Sequence, residues 1–360
     1  MSWRWRGNRC LDEAGSARSS GQGAGRAAAH SGALEGHAGP AGLNGPPEHH
    51  QYIQQQKKGG TMIFGGEKVG IVLELDRPEG PYYPGDPVHL NIHLESEKDL
   101  KVQELRASLI FWERYQYTTT HTTGYGKSRS RSTRTHWGTA TRVLHKEKLL
   151  GEGTIPAGFH QTYSLDWSIP QDAAPPYAGR VIRSGWLIKV TLDRKLRKDI
   201  NEELKVPVVV PPPGRWAEPG EYGEASHSEE ADMALWLPRL EWVEGETIQG
   251  KVIVRARSGV SASGVRIELL RNERVTIRGH GRGGTFSKTE FKDRIARGVK
   301  LNAGEVREFP FSVPVPEIGC PSRDTSVGTV RWSLKGILDR RLRRDFTVAQ
   351  EIYVFNGSKS

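Results

Sequence analysis

Cysteine is almost absent from this 360-residue sequence, which has only Cys10 and Cys320. Two isolated cysteines make neither a disulfide framework nor a Cys-x-x-Cys metal knuckle, so the chain reads as intracellular. Long apolar runs are also missing. None approaches the roughly 20 residues that a bilayer-spanning helix needs. The N-terminus holds Trp3, Arg4, Trp5 and Arg6 but lacks the apolar core of a secretory signal. No window of about eleven residues shows a capped helical stripe. Catalytic signatures are missing too: there is no Gly-x-Ser-x-Gly elbow and no His-Glu-x-x-His pair.

Several stretches imitate chemical motifs. Gly279-His280-Gly281-Arg282-Gly283-Gly284 satisfies the dinucleotide pattern, yet Thr285-Phe286-Ser287-Lys288 follows where a helix should open. A flexible hairpin loop is expected there. Gly126-Lys127-Ser128 ends like a phosphate-binding loop, but the required first glycine is His121. His89 and His93 lie in an alternating stretch, where a strand would hold them about 13 Å apart. They are read as strand-face residues. The doublet His49-His50 lacks further ligands at metal-binding spacing. Asp193 and Asp339 are expected to pair with the arginines that follow them at exposed strand ends. No catalytic residue, metal, cofactor or small-molecule substrate is therefore expected.

What is present is positive charge and β pattern. The formal net charge is +10. Residues 1–61 hold seven Lys/Arg and four acids, which leaves 45 basic and 38 acidic residues beyond them. Residues 7–61 are rich in Gly, Ala, Ser, Pro, His and Gln without hydrophobic period, so residues 1–61 are predicted to be a disordered tail. Patterned sequence starts at Met62. Lys58-Gly59-Gly60 can be encoded as a bacterial ribosome-binding sequence just before it, so translation is expected to begin at Met62. N-terminal peptide mass spectrometry of the native protein checks this.

From Met62 onward, short alternating runs are separated by Gly, Pro and Asp turns, the pattern of an all-β protein. The two halves match one another. Tyr83-Pro84-Gly85-Asp86-Pro87-Val88 corresponds to Val243-Glu244-Gly245-Glu246-Thr247-Ile248. Leu105–Arg114 corresponds to Val265–Arg274, and both end in Glu-Arg. Trp186–Asp199 (WLIKVTLDRKLRKD) corresponds to Trp332–Asp345 (WSLKGILDRRLRRD). A repeat of this length is a whole domain. The expected architecture is two tandem immunoglobulin-like antiparallel β-sandwiches over residues 62–211 and 231–357. A Pro/Gly/acidic linker is expected over 212–230, stiffened by Pro211-Pro212-Pro213.

The Tyr82–Val88 turn and the duplicated Trp186–Asp199 strand resemble the arrestin family over roughly residues 62–357. The likeness extends to the bacterial sporulation-control proteins, which share the tandem plan. This resemblance implies a cytoplasmic scaffold or adaptor, often beside membranes, that binds protein partners without catalysis. Phosphate-sensing residues of visual-type arrestins have no counterpart motif here, and Pro175-Pro176-Tyr177 is not a PPxY motif.

The copies differ most after Glu113, where the first is fourteen residues longer. Arg114 to Ala157 spans 43 positions against 29 from Arg274 to Ala303. No acid lies between Glu113 and Glu147, while seven Lys/Arg do. Lys127, Arg129, Arg131, Arg134 and Arg142 are the candidate anion-binding residues of this basic 114–146 loop. Arginines among Tyr115, Tyr117, Tyr125 and Trp137 suit an anionic membrane or a phosphorylated partner, and less so nucleic acid. A long solvated hairpin tip is the plainer alternative.

Overall fold

A computed structural model describes residues 69–124, 129–214, 217–226, 228–276 and 281–358. The expectations for residues 1–61, Met62 and Lys127 fall outside these residues. Every regular element described is a strand. No helix among the described residues is long and apolar enough to cross a membrane.

Seven main strands build the first half: β1 (Val69–Leu75), β2 (Pro87–Ser96), β3 (Glu104–Thr123), β4 (Ser130–Leu150), β5 (Phe159–Ser168), β6 (Ile182–Asp193) and β7 (Ile200–Val206). They form two antiparallel sheets in the orders β1-β2-β5 and β7-β6-β3-β4. The second half has β8 (Ala231–Leu237), β9 (Thr247–Ala256), β10 (Val260–Val275), β11 (Thr285–Leu301), β12 (Val306–Pro314), β13 (Gly328–Asp339) and β14 (Phe346–Phe355). Its sheets run β8-β9-β12 and β14-β13-β10-β11, the same order again.

The alternating strands bury one face as their period requires. Trp186, Ile188, Val190 and Leu192 of β6 are buried, and so are Trp332, Leu334 and Leu338 of β13. Each tryptophan donates its indole N–H to a counterpart carbonyl at 2.9 Å, Trp186 to Ala174 and Trp332 to Cys320. The repeat extends to irregularities. The β3–β4 register shifts at Leu105/Arg106 and Leu109/Ile110. The β10–β11 register shifts at the counterpart positions, Val265/Arg266 and Leu269/Leu270. The Pro84-Gly85 turn and its copy both place glycine at φ 88°. Glycine alone adopts that geometry without a Cβ penalty.

Asp193 and Asp339 find ion-pair partners on other strands. Arg106 of β3 reaches Asp193 at 3.4 Å. Arg266, its counterpart on β10, bonds the buried Asp339. Strand alignment brings these partners together. Part of the expected linker also joins the second half. Gly220–Tyr222 pairs with β8 and Glu224–Ala225 with β14.

The β6–β7 and β13–β14 turns are matched in an unusual respect. Leu196 and Leu342 have φ of 61° and 60°. Such a left-handed backbone costs a leucine roughly 1–2 kcal/mol. Neither side chain recovers that by packing, since the two residues are 98% and 99% exposed.

Candidate functional site

Leu105, Ala107, Leu109 and Phe111 face the core from β3, and Glu113 continues the same face. A carboxylate there must be paired, because burying it alone is costly. Its partner comes from the other half. Arg323, with a fully buried side chain, donates to Glu113 and to Ser184 Oγ of β6. Thr325 Oγ1 donates to Glu113 at 2.8 Å. Burial pulls the Arg323 guanidinium below its ordinary value, and Glu113 opposes that pull.

The counterpart carboxylate, Glu273 of β10, crosses in the opposite direction. It accepts the backbone N–H groups of Arg180, Val181 and Ile182 at 3.0, 2.9 and 3.3 Å. It also pairs with Arg271. Arg271 donates to Tyr177 Oη at 2.8 Å. Burial raises the Tyr177 phenol above its usual range, and Glu273 adds to the rise. Tyr177 and Arg323 are duplication counterparts, as are Phe111 and Arg271. Arg323 lies 6.0 Å from the Phe111 ring, so the two contacts mirror one another. Arg323 itself lies 5.6 Å from the Tyr177 ring, between them. The halves therefore meet through reciprocal contacts, as two subunits do across a two-fold axis.

The described part of the glycine-rich stretch, residues 281–284, has a role in this junction. Arg282–Gly283 pairs with Tyr117 and Thr118 of β3, beyond the point where β6 begins. Gly284 N–H donates to Gln116 O at 2.9 Å. A Cβ on Gly283 would stand 2.0 Å from Val275 O. Gly283→Val is expected to destabilise the protein by about 1–3 kcal/mol in urea unfolding, because backbone has to move.

An open cleft of about 360 Å³ lies at the junction. Phe111 and Trp186 form its floor, with ring centroids 5.0 Å apart. Glu113, Ala140, Asp324 and Ser326 contribute to its walls. Arg142 and Asp172 close one side through an exposed 3.6 Å ion pair. In the second half, Phe111 is replaced by Arg271. That side chain lies against Phe286 and Trp332 and bonds Glu290 at 2.9 Å, filling the counterpart space. The floor of the open cleft thus belongs to the first half.

The described parts of the basic 114–146 segment, residues 114–124 and 129–146, form an antiparallel ribbon. β3 and β4 are 20 and 21 residues long, against 16 and 17 for β10 and β11. Their pairing continues out to Thr123 and Ser130. Threonine and aromatic residues favour this extended state. The ribbon separates the candidate arginines. Arg131 shares the outer face with Trp137, whereas Arg134 and Arg142 share the inner face with His136. Arg114 and Arg183 flank Trp137 at 5.5 and 5.3 Å from its ring. His89 and His93 lie on β2 and bond different residues, Asp166 for one and Thr162 and Glu74 for the other. Among the described residues no group of three His, Cys, Asp or Glu could hold a metal.

Glu113 and Glu273 were not singled out as site residues in the sequence. A signal existed: in the alternation Leu105-Ala107-Leu109-Phe111-Glu113, an acid occupies a core position. Residues 71–212 match the family model of the arrestin (or S-antigen) N-terminal domain. The first half is arrestin-like. The arrestin match spans all of β2 to β7, so it includes the ribbon, the cleft floor and Glu113. A comparison with curated protein sequences finds no match.

Proposed function

We propose that this arrestin-like chain is a non-catalytic scaffold or adaptor of the cytoplasm that binds protein partners at the junction of its halves. The cleft over Phe111 and Trp186 is the observation that carries this reading. An apolar floor within a charged rim suits side chains of a partner segment. The reciprocal contacts hold both walls in place before a partner arrives. Ala140→Trp would fill the cleft from β4. It is expected to abolish capture of the partner that the unaltered chain retains from host extract, whereas Lys300→Trp on the second half leaves capture intact. Equal capture by all three proteins would reject the cleft.

A second reading rests on the ribbon, an anionic-surface module whose target is a membrane, a phosphorylated partner or nucleic acid. The described residues between Glu113 and Glu147 contain no acid, and Arg129, Arg131 and Arg134 are exposed on them. Binding through such residues weakens steeply with added salt. Replacing Arg129, Arg131 and Arg134 with Ser is expected to remove both the binding and its salt dependence. Unchanged gel shift and flotation would reject this reading.

A further inference from the structure

The outer face of the β7-β6-β3-β4 sheet points away from the core and from the Glu113–Arg323 contact. On alternating strands the residues between core positions point outward. On β3 these include Ile110, Trp112, Arg114 and Gln116, which lie opposite Val143, Thr141, Thr139 and Trp137 of β4. Ile110, Trp112 and Arg114 also lie opposite Leu187, Gly185 and Arg183 of β6. No acid stands among these positions.

Two tryptophans and two arginines set this face apart. A Cβ on Gly185 would stand 3.2 to 3.3 Å from three atoms of the Trp112 indole. The ring therefore lies flat over the glycine, which leaves its other side facing outward. Trp137 is opposite Gln116, four residues beyond Trp112 and about 13 Å along the sheet. Between the two rings Arg114 and Arg183 face one another across neighbouring strands, where like charges repel. Both are exposed and both lie beside Trp137, and among the described residues neither pairs with a carboxylate. Arg183 Nε is steadied by Gly179 O at 3.4 Å. The second half keeps none of this arrangement except the counterpart of Arg114. Asn272, Arg331 and Ser333 replace Trp112, Gly185 and Leu187, and Thr329 replaces Arg183. Arg331 is paired with Asp324 at 2.9 Å.

We propose that this face binds single-stranded nucleic acid. Each indole offers a surface on which an unpaired base stacks, and the two guanidinium groups between the rings are placed for the phosphates that link those bases. Guanidinium planes beside Trp137 extend the stacking surface. The two arginines repel one another until an anion lies between them, so a phosphate relieves a cost built into the empty face. A phosphorylated peptide would use the arginines and gain nothing from the tryptophans. A duplex keeps its bases stacked on one another and offers none to the rings. The site lies at the root of the ribbon and needs none of Arg129, Arg131 and Arg134.

The test is fluorescence anisotropy of the full chain with labelled oligonucleotides of one mixed sequence, as single-stranded DNA, single-stranded RNA and duplex DNA. A single strand is expected to bind, and the duplex roughly tenfold more weakly. Whichever of the DNA and RNA strands binds tighter identifies the source of the ligand. Trp112→Ala and Trp137→Ala should each weaken single-strand binding roughly tenfold, as loss of one stacked base implies, while Trp112→Phe stays within about threefold of the unaltered chain. Arg114→Gln with Arg183→Gln should lower the slope of log affinity against log salt by about 1.4, the value for two phosphates. The Arg129, Arg131 and Arg134→Ser protein should keep its preference for single strands. Undiminished single-strand binding by both tryptophan→Ala variants overturns the proposal, as does equal binding of duplex and single strands or no binding of either. Flotation with phosphatidylglycerol vesicles that requires Trp112 and Trp137, without oligonucleotide binding, would assign the face to lipid and overturn it as well.

Discussion

Arg323→Ala is expected to destabilise the protein by about 3–5 kcal/mol, among the largest effects of any single substitution. The change removes a buried cation and leaves Glu113 buried with Thr325 as its remaining partner among the described residues. Removing both charges should be far milder. A paired charge recovers little beyond its own desolvation, so Arg323→Met with Glu113→Leu should approach wild-type stability. Urea unfolding of the two single variants and the double variant measures the coupling. Additive single effects would show that the two side chains act independently.

Trp332→Ala should cost a similar amount, about 3–5 kcal/mol. Trp332 is fully buried and its indole N–H bonds Cys320 O, so truncation leaves both a large cavity and an unsatisfied carbonyl. Trp186→Ala should cost somewhat less. Its ring is part of the floor of the open cleft, where water can enter the vacated space. Thermal unfolding of the pair checks this order. Equal losses would mean that the cleft floor is as closed as the second core.

Much of this architecture was legible in the sequence. The chain supplied its own comparison, and Trp186–Asp199 against Trp332–Asp345 showed that one strand with one buried face is used twice. The matched Glu-Arg ends even marked the two carboxylates that cross the junction. Their role stayed hidden, because an acid on an alternating strand reads as exposed until the other half covers it. Asp193 and Asp339 show the same limit. Their partners lie some 70 to 90 residues away, on β3 and β10, and only strand pairing brings them near. The glycine-rich run was ambiguous for a related reason. Gly283 approaches Val275 of β10 and Gly284 approaches Gln116 of β3, and sequence alone cannot name the strands approached.

The division of labour between the copies is sharper in space than in sequence. The fourteen extra residues extend a regular ribbon, and that ribbon divides its arginines between two faces. The cleft depends on a smaller difference, Phe111 in one copy against Arg271 in the other. The ribbon and the cleft floor belong to the first half, while the second half supplies Arg323 and Thr325 to the junction and Asp324 and Ser326 to the cleft wall.

The account requires that the two sandwiches behave as one body, because only then is the cleft present before a partner binds. Tyr177, Val181 and Ile182 of the first half already belong to the core cluster of the second. Differential scanning calorimetry of the unaltered chain tests this most directly. One cooperative transition is predicted, with calorimetric and van't Hoff enthalpies equal, and Arg323→Ala should broaden or split it. Two well-separated transitions in the unaltered chain would contradict the account.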